Sequence, residues 1–374
     1  MGPESNPKNR LVGVASLAMS TAFSRLLAVV APLALLSACG SSIPEAPPGA
    51  PIDPPRLKDD LLESMMGGGS DTSSAAPEDD KKKKDREELE KDFAKLDADT
   101  AKEKTRFAPL TKDLATLEGK DYASFKAAVD ATLRSPHRAP GNSERDKFRH
   151  PSETLAFFNL RQDMSVLELD AGAGWYSELL APVLYKKGKL TVSGPSPDGS
   201  MTERGTLYGK RLRAFLDVAP ELGGKVDYLN MASDGTFSVA KDGTFDAILA
   251  IRTLHNWQRK GAMDKDMAEC FKALKPGGIL GIVEHRAKPG ADPKAMAEKG
   301  YLPEAYVIER AQAAGFKLDA KSEINANPKD TTDHPEGVWS LPPTLRKVAD
   351  ADKAKMVAIG ESDRMTLRFV KPKK

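Results

Sequence analysis

A glycine-rich turn follows an apolar segment near the middle of the chain. Glu168, Asp170, Gly172 and Gly174 alternate with apolar or small residues, and a helical pattern begins at Trp175. Glycine has no side chain and tolerates positive φ, so two glycines let a ligand approach the backbone closely. The start of the next helix offers free N–H groups and a positive dipole end. The pattern favours a small ligand that carries a carboxylate or phosphate, although a tight turn without a ligand has the same appearance.

Side chains suited to acid–base chemistry follow a second apolar segment. Arg252, His255, Asn256 and Trp257 come directly after residues 245–251. Histidine exchanges protons near neutral pH, so His255 is a candidate general base. Asn256 would orient a polar substrate and Trp257 would wall the pocket. The alternative is structural, with His255 capping a loop and Trp257 packed in the core. Arg252, His255 and Asn256 are the predicted catalytic residues.

Other polar groups accompany these two segments. They are predicted either to close the site or to form structural ion pairs: Glu284, His285 and Arg286; Glu323, Asn325 and Asn327; Glu361, Asp363 and Arg364. A fourth group is a candidate lid: Arg145, Asp146, Arg149 and His150. The sequence lacks an H-E-x-x-H zinc pair, a G-x-S-x-G nucleophile elbow and a Walker lysine, which argues against hydrolase chemistry. No metal site is predicted.

The segments that carry these residues alternate between strand and helix patterns. Strands are predicted at 165–170, 189–193, 225–231, 245–251, 279–284, 317–324 and 365–370, and helices at 175–185, 206–217, 265–274 and 303–314. This alternation predicts an α/β fold, a mostly parallel sheet with helices on both faces. Ligands of such sheets bind outside the carboxyl ends of the strands. The glycine turn and the His255 segment should therefore border one crevice.

Composition narrows the classes of function. The 374 residues include 56 Lys plus Arg and 54 Asp plus Glu, and only 6% are aromatic. A nucleic-acid partner is not expected, because nucleic-acid-binding domains are usually strongly basic. The two cysteines, Cys39 and Cys270, exclude a disulfide scaffold and a four-thiolate zinc site. Cys270 is predicted to be a buried apolar residue.

The N-terminal region has the features of a targeting segment. Lys8, Arg10 and Arg25 precede the uncharged apolar stretch 26–36, which is too short to span a bilayer. The sequence that ends at Cys39 resembles the bacterial lipobox, in which the cysteine is lipidated before cleavage. Residues 1–38 are thus predicted to be a lipoprotein signal peptide, and the mature protein to be anchored to a membrane in the cell envelope, on its periplasmic or extracellular face.

The rest of the chain divides by composition. Residues 39–105 are rich in Pro, Gly and charge, and are predicted to be a disordered tether that contains a short solvated helix. Residues 106–160 are predicted to be a helical extension or lid. Residues 161–374 are predicted to form the α/β domain.

The glycine turn resembles motif I of class I S-adenosylmethionine-dependent methyltransferases. Residues 274–278 resemble the turn before that family's fifth strand, and residues 245–249 resemble its fourth strand. The resemblance implies a Rossmann-like seven-stranded sheet with an antiparallel last strand, and S-adenosylmethionine as cofactor. The cofactor-binding residues would be Glu168, Asp170, Gly172 and Gly174. Several shorter motifs resemble a bacterial group described as predicted methyltransferases.

Two positions depart from the family pattern. Asp170 stands where motif I has its first glycine, which would crowd the turn or place a negative charge near the cationic sulfonium. The second predicted strand ends at Thr191 to Gly194 without the carboxylate that commonly binds the ribose, and Asp198 lies four residues late.

Two functions are compatible with these observations. The first is methyl transfer from S-adenosylmethionine to a small molecule or envelope component. The second is a non-catalytic, methyltransferase-like lipoprotein that binds another ligand in the envelope. The altered motif I and the expected location favour the second function, whereas the polar cluster around His255 favours the first.

The lipid anchor leads to the first testable prediction. Wild-type protein should incorporate labelled palmitate in a bacterial host, whereas Cys39→Ala should not, because the sulfur of Cys39 is the acceptor for the lipid. Equal labelling of the two proteins would contradict the anchor.

Overall fold

The computed structural model describes residues 78–218 and 224–373. The predicted signal peptide, Cys39 and the first part of the predicted tether lie outside these ranges. None of the described helices is long and apolar enough to cross a membrane.

A mixed sheet forms the centre of the described chain. Its strands are β1 (Ser165–Leu169), β2 (Lys189–Pro195), β3 (Asp227–Met231), β4 (Phe245–Ile251), β5 (Leu274–Ala287), β6 (Leu302–Pro303), β7 (Lys317–Ser322) and β8 (Arg364–Val370). The order is β3-β2-β1-β4-β5-β8-β7, and the two-residue β6 pairs with the end of β5. Only β8 runs antiparallel to its neighbours. The predicted Rossmann-like α/β sheet with an antiparallel last strand is confirmed.

Helices cover both faces of the sheet. They are α1 (Glu78–Phe107), α2 (Thr111–Gly119), α3 (Phe125–Leu133), α4 (Asp146–Arg149), α5 (Pro151–Phe157), α6 (Ser177–Leu184), α7 (Arg204–Val218), α8 (Leu254–Arg259), α9 (Met263–Ala273), α10 (Pro293–Ala297), α11 (Glu304–Ala313) and α12 (Asp350–Ile359). Short 3₁₀ turns lie at Ala108–Leu110, Ser143–Arg145 and Gly337–Ser340.

Alternate residues of the central strands supply two hydrophobic cores. Val166 of β1 packs with α3, α6 and α7 on one face, whereas Leu167 packs with α8, α9 and α11 on the other. Both faces of β1 and β4 are therefore buried, which explains why these segments are continuously apolar rather than alternating. Cys270 lies in the second core with no exposed surface, as its apolar neighbours predict.

The strand order reverses between β1 and β4. The chain leaves β1 towards β2 on one side, and leaves β4 towards β5 on the other. Such a switch point separates the turns that follow the two strands and opens a crevice at their carboxyl ends. The glycine turn follows β1 and the Arg252 segment follows β4, so the fold brings both to this crevice.

Residues 78–105, which the sequence assigns to a disordered tether with a short solvated helix, belong to α1 (Glu78–Phe107), so the helix is longer than predicted. Leu89 and Phe93 of α1 are buried against Leu207 of α7. An ion pair between Asp92 and Arg204 adds a contact, with Arg204 Nη1 at 3.2 Å from Asp92 Oδ2. Leu89 and Phe93 are four residues apart, which is a helical spacing. A heavily charged segment with so few apolar residues looks like a helix exposed to solvent, so the sequence did not predict that α1 docks.

Docking of α1 can be tested by truncating its central aromatic residue. Phe93→Ala should weaken the docked state by about 3 kcal/mol, because a buried phenyl ring is replaced by a methyl group. Trypsin cleavage within α1 should become at least about tenfold faster, because the helix is more often undocked. Glu87→Ala, an exposed change on the same helix, is the control. Equal cleavage rates of the two variants would contradict docking.

Candidate functional site

A cavity of about 720 Å³ lies at the carboxyl ends of β1, β2 and β3. Pockets that bind small molecules commonly have volumes of about 300–1,000 Å³. Among the residues predicted for the site, Asp170, Gly172 and Asn256 line this cavity, whereas Glu168, Gly174, Arg252 and His255 do not. The glycine turn and α8 thus border one crevice, and Asn256 is the residue of α8 that joins the two segments.

The two glycines of the turn have different roles. Both have positive φ, +60° at Gly172 and +83° at Gly174. A side chain at Gly172 would project into open space on the cavity wall. A Cβ at Gly174 would lie 2.6 Å from Cδ1 of Phe215. Gly172 therefore admits a ligand to the backbone, while Gly174 allows α7 to pack against the turn.

Glu168 lies beneath the turn and supports it. Its carboxyl group is buried, and Ser177 Oγ, at the first residue of α6, is 2.7 Å from Oε2. Burial raises the pKa of Glu168 to about 8; the hydrogen bond from Ser177 opposes this rise and the charge of Asp170 adds to it. Glu168 therefore carries a proton at neutral pH and joins β1 to α6 without a buried charge.

Asp170 fits the turn at a position where the family has glycine. Its φ of +49° lies in the left-handed region, which aspartate tolerates better than most residues. Its backbone N–H donates to Ser193 Oγ at 2.9 Å, and Thr253 Oγ1 donates to Oδ2 at 3.2 Å. Burial raises its pKa, against the effect of Lys260. The carboxyl group adds a polar function to the cavity wall and leaves the turn open.

The end of β2 contributes backbone rather than a carboxylate. Gly194, Pro195 and Ser196 line the cavity, and Asp198 is exposed and does not. Glu203 and Asp234 are the acidic lining residues that the neighbouring loops supply. Sequence reasoning missed both of them, because they lie on loops whose path the chain pattern does not define.

Basic residues also line the cavity, and sequence reasoning missed these as well. They come from the first two turns of α7 and from the end of α8: Arg204, Arg211, Arg259 and Lys260. Arg204 is paired with Asp92 of α1, and Arg259 with Glu298 at 3.4 Å. The sequence could have indicated these residues only by their position. Arg204 and Arg211 follow a polar loop, and Arg259 and Lys260 follow the candidate catalytic segment.

His255 is held by a buried carboxylate. Its Nδ1 lies 3.0 Å from Oε1 of Glu284. The same carboxylate accepts backbone N–H groups from Leu254 at 2.7 Å, from His255 at 3.4 Å and from His285 at 2.9 Å. A carboxylate surrounded by donors keeps the proton of His255 on Nδ1, so Nε2 has a free lone pair and can accept a proton.

Trp257 is part of the core and not of the cavity wall. It is buried beneath α8 among the side chains of the second core. The prediction that Trp257 walls the pocket is therefore wrong, because the helical turn of α8 points it towards the sheet while Asn256 faces the cavity. The aromatic neighbour of His255 is Trp339, whose ring centroid lies 6.0 Å away.

His255, Glu284 and His285 offer three ligand atoms within 4.8 Å of one another. The backbone N–H groups and His255 already occupy the oxygens of Glu284, and His285 Nδ1 is 2.5 Å from Ser362 Oγ. Burial, together with the charges of His255 and Arg252, lowers the pKa of His285 well below its usual range. Positive surroundings and saturated oxygens suit a hydrogen-bonded acid–base network better than a cation.

The candidate lid is joined to the segment before β8. Arg145 Nε donates to Glu361 at 2.7 Å, and Arg149 Nε donates to the same carboxylate at 3.1 Å. Arg364 Nη1 contacts it at 3.0 Å. These guanidinium groups hold the pKa of Glu361 well below its usual range, despite its burial. Sequence reasoning proposed these groups separately but did not predict that they meet.

The remaining predicted polar residues have structural contacts. Arg286 binds Asp363 and Glu323, and Asn325 Nδ2 donates to Thr154 and Thr366. Asn327 donates to backbone carbonyls, Asp146 is paired with Arg138, and His150 ends α4 in the left-handed conformation. They stabilise the edge of the sheet and the lid.

The chain resembles known proteins over this part of the fold. Residues 167–282 match the family model described as a methyltransferase domain. Similar solved structures include SAM-dependent methyltransferases from Aquifex aeolicus (17% identity, 66% of this chain and 98% of that chain, TM-score 0.40), Mesorhizobium loti (14%, 62% and 100%, 0.39) and Methanosarcina mazei (14%, 59% and 98%, 0.38). No curated protein matches the chain.

The match to a methyltransferase domain supports the predicted class of enzyme. The matched residues run from β1 into β5 and so include the glycine turn, the cavity-lining ends of β2 and β3, and the His255 segment. S-Adenosylmethionine is the methyl donor that this class implies.

The protonated state of Glu168 predicts a pH dependence of stability. Between about pH 4.5 and 8 the folded chain keeps a proton that the unfolded chain releases, so this group destabilises the fold as pH rises through that window. Glu168→Gln keeps the shape and the contact with Ser177 but cannot ionise. The variant should lose this slope, gaining up to about 4 kcal/mol relative to wild type between pH 5 and 8.5.

Urea unfolding at pH 5, 7 and 8.5 measures the difference directly, and each protein serves as its own reference at pH 5. Parallel stability curves for wild type and Glu168→Gln would show that Glu168 ionises in the folded protein as it does in the unfolded chain.

Proposed function

We propose that the protein transfers a methyl group from S-adenosylmethionine to a small-molecule acceptor, with the cofactor in the 720 Å³ cavity. The observation that carries the proposal is the position of this cavity, which lies at the switch point of the sheet and against Gly172. The methyltransferase family match covers the same strands and turns.

The residues of the cavity fit the charges of the cofactor. Asp170 offers a carboxyl group to its positive groups, and Lys260 and Arg204 offer cations to its carboxylate. The end of β2 lacks a carboxylate for the ribose hydroxyls, and Glu203 provides one instead. Gly172 allows the cofactor to approach the backbone. When bound, S-adenosylmethionine supplies a methyl group on a positively charged sulfur.

The acceptor would bind beside α8, next to the cofactor, at the part of the cavity that Asn256 lines. Asn256 lines the cavity there and orients the acceptor, while the adjacent His255 takes up a proton at Nε2 as the acceptor is methylated. Glu284 stabilises the resulting imidazolium, because its carboxylate holds Nδ1–H at 3.0 Å. Methyl transfer then depends mainly on the alignment of the two bound molecules.

We also propose that the protein is located at the cell envelope. A lipid on Cys39 would place the methyltransferase domain at the membrane of the cell envelope, where the acceptor would be a small molecule or an envelope component. An enzyme at this location needs a supply of S-adenosylmethionine. The alternative, a ligand-binding lipoprotein without catalysis, does not. The His255–Glu284 pair supports the enzyme, because a ligand-binding module has no need of a held proton acceptor.

The cofactor site can be tested with two matched glycines. Gly172 and Gly290 both have positive φ and open space where a Cβ would lie, but only Gly172 lines the cavity. Valine is equally strained at both positions, so the strain cancels in the comparison. Calorimetric titration of the full-length chain with S-adenosylmethionine should show binding at least about tenfold weaker for Gly172→Val than for Gly290→Val, because only the first fills ligand space.

Circular dichroism establishes that each variant is folded, and Gly172→Ala replaces the valine variant if it is not. His255→Asn should keep its affinity for S-adenosylmethionine within about threefold of wild type, because His255 does not line the cavity. Absence of binding to the wild-type chain, or equal binding by the two glycine variants, would overturn the proposed cofactor site and leave the ligand-binding alternative.

A further inference from the structure

A cluster of buried and half-buried arginines lies beside the proposed acceptor site. Arg145, Arg149 and Arg364 share the carboxylate of Glu361. Arg364 Nη2 also donates a hydrogen bond to the backbone oxygen of Phe148, at 2.6 Å. Three guanidinium groups around one carboxylate repel one another, and a buried charge is costly unless it is paired.

Arg149 has an edge that the folded chain does not use. Only 1% of the residue is exposed, and its Nε donates to Glu361. Its Nη1 and Nη2 are buried and have no hydrogen-bond partner among the described residues. The guanidinium carbon lies 4.6 Å from the centre of the Trp175 ring, so the group packs over this ring. A purely structural arginine would be expected to satisfy these donors, because an unmade buried hydrogen bond destabilises the fold.

The electrostatic surroundings of this edge favour an anion. Burial, and then repulsion by Arg145 and Arg252, lower the pKa of Arg149 well below its usual range, while Glu361 opposes them. His285 is kept neutral by its burial and by the charges of His255, Arg252 and Arg364. A negatively charged ligand would relieve this repulsion, whereas a metal ion would increase it.

The cluster adjoins the proposed cofactor cavity. Arg252 follows β4, and the next residue, Thr253, donates to Asp170 on the cavity wall. Trp175, which stacks on Arg149, directly follows Gly174 of the glycine turn. The ring of His285 lies 5.6 Å from that of His255. The arginine cluster is therefore near the glycine turn, through Trp175, and near His285, on which the charges of Arg252 and Arg364 act.

We propose that the open edge of Arg149 binds a carboxylate group of the methyl acceptor, an assignment that rests on the proposed function. The two N–H groups of one guanidinium edge match the two oxygens of a carboxylate in a planar, bidentate pair. A phosphate would present further oxygens, for which this buried edge offers no additional open donors. The charge of the acceptor completes the cluster.

The test uses acetate as the probe and thermal unfolding of the full-length chain as the readout. Sodium acetate replaces sodium chloride at constant ionic strength and pH 7.5, so that screening is unchanged. Wild type should gain about 3 °C in Tm at acetate concentrations well above Kd, because acetate binds only the folded state. Arg149→Met should lose this gain, and Arg149→Lys should lose most of it, because lysine cannot form the bidentate pair.

A matched control comes from the other arginine on the same tryptophan. Arg138 lies 5.3 Å from the Trp175 ring but is paired with Asp146 and Glu178. Arg138→Met should lower the Tm, because two carboxylates lose their partner, and should keep the gain with acetate. Arg149→Met should unfold at the wild-type temperature or above it, because Arg145 and Arg364 still pair with Glu361. Arg310→Gln, at the surface of α11, replaces the Arg138 variant if that protein does not fold.

The outcomes separate the two proposals. Loss of the acetate effect in Arg149→Met alone supports the carboxylate site, whether or not S-adenosylmethionine binds. An acetate effect without any binding of S-adenosylmethionine would overturn the proposed function but keep the anion site. No acetate effect in wild type, an unchanged effect in Arg149→Met, or a larger effect of inorganic phosphate than of acetate would each overturn the carboxylate assignment.

Discussion

The reversal of strand order between β1 and β4 is the constraint on which the rest of the site depends. Because the chain turns in opposite directions after these strands, α6 and α9 cover opposite faces of the sheet. The two following turns cannot pack on each other, and space remains between them. The glycine turn lines one side of that space and α8 the other, so every proposed role of a side chain follows from this single topological feature.

The environment, rather than the residue type, determines what each buried carboxyl group does in this protein. Glu168 has one hydroxyl donor and is protonated at neutral pH. Glu361 is equally buried but is ionised, because three guanidinium groups surround it. Glu284 gathers three backbone N–H groups and an imidazole. The first supports the turn, the second joins the candidate lid to the segment before β8, and the third holds Nδ1 of His255.

Local patterns predicted the parts of the fold that depend on local order. The strand at 245–251 matches its predicted bounds, because both of its faces are buried and its apolar run is unbroken. Motif I located the cavity through Gly172. The contacts of Glu361 with Arg149 join residues 212 positions apart, and no periodic pattern encodes them. The sequence did not predict the docking of α1. Leu89 and Phe93 are too few apolar residues, in a highly charged segment, to distinguish a docked helix from a solvated one.

Because Asp92 of α1 pairs with Arg204, the part of the chain that shapes the cavity begins well before the first strand of the sheet. Arg204 lines the cavity, and its carboxylate partner belongs to α1, more than seventy residues before β1. A recombinant fragment that starts after Phe107 would retain every strand and the whole glycine turn. It would nevertheless present an altered local charge to any ligand in the cavity, so a binding constant measured on such a fragment describes a different pocket.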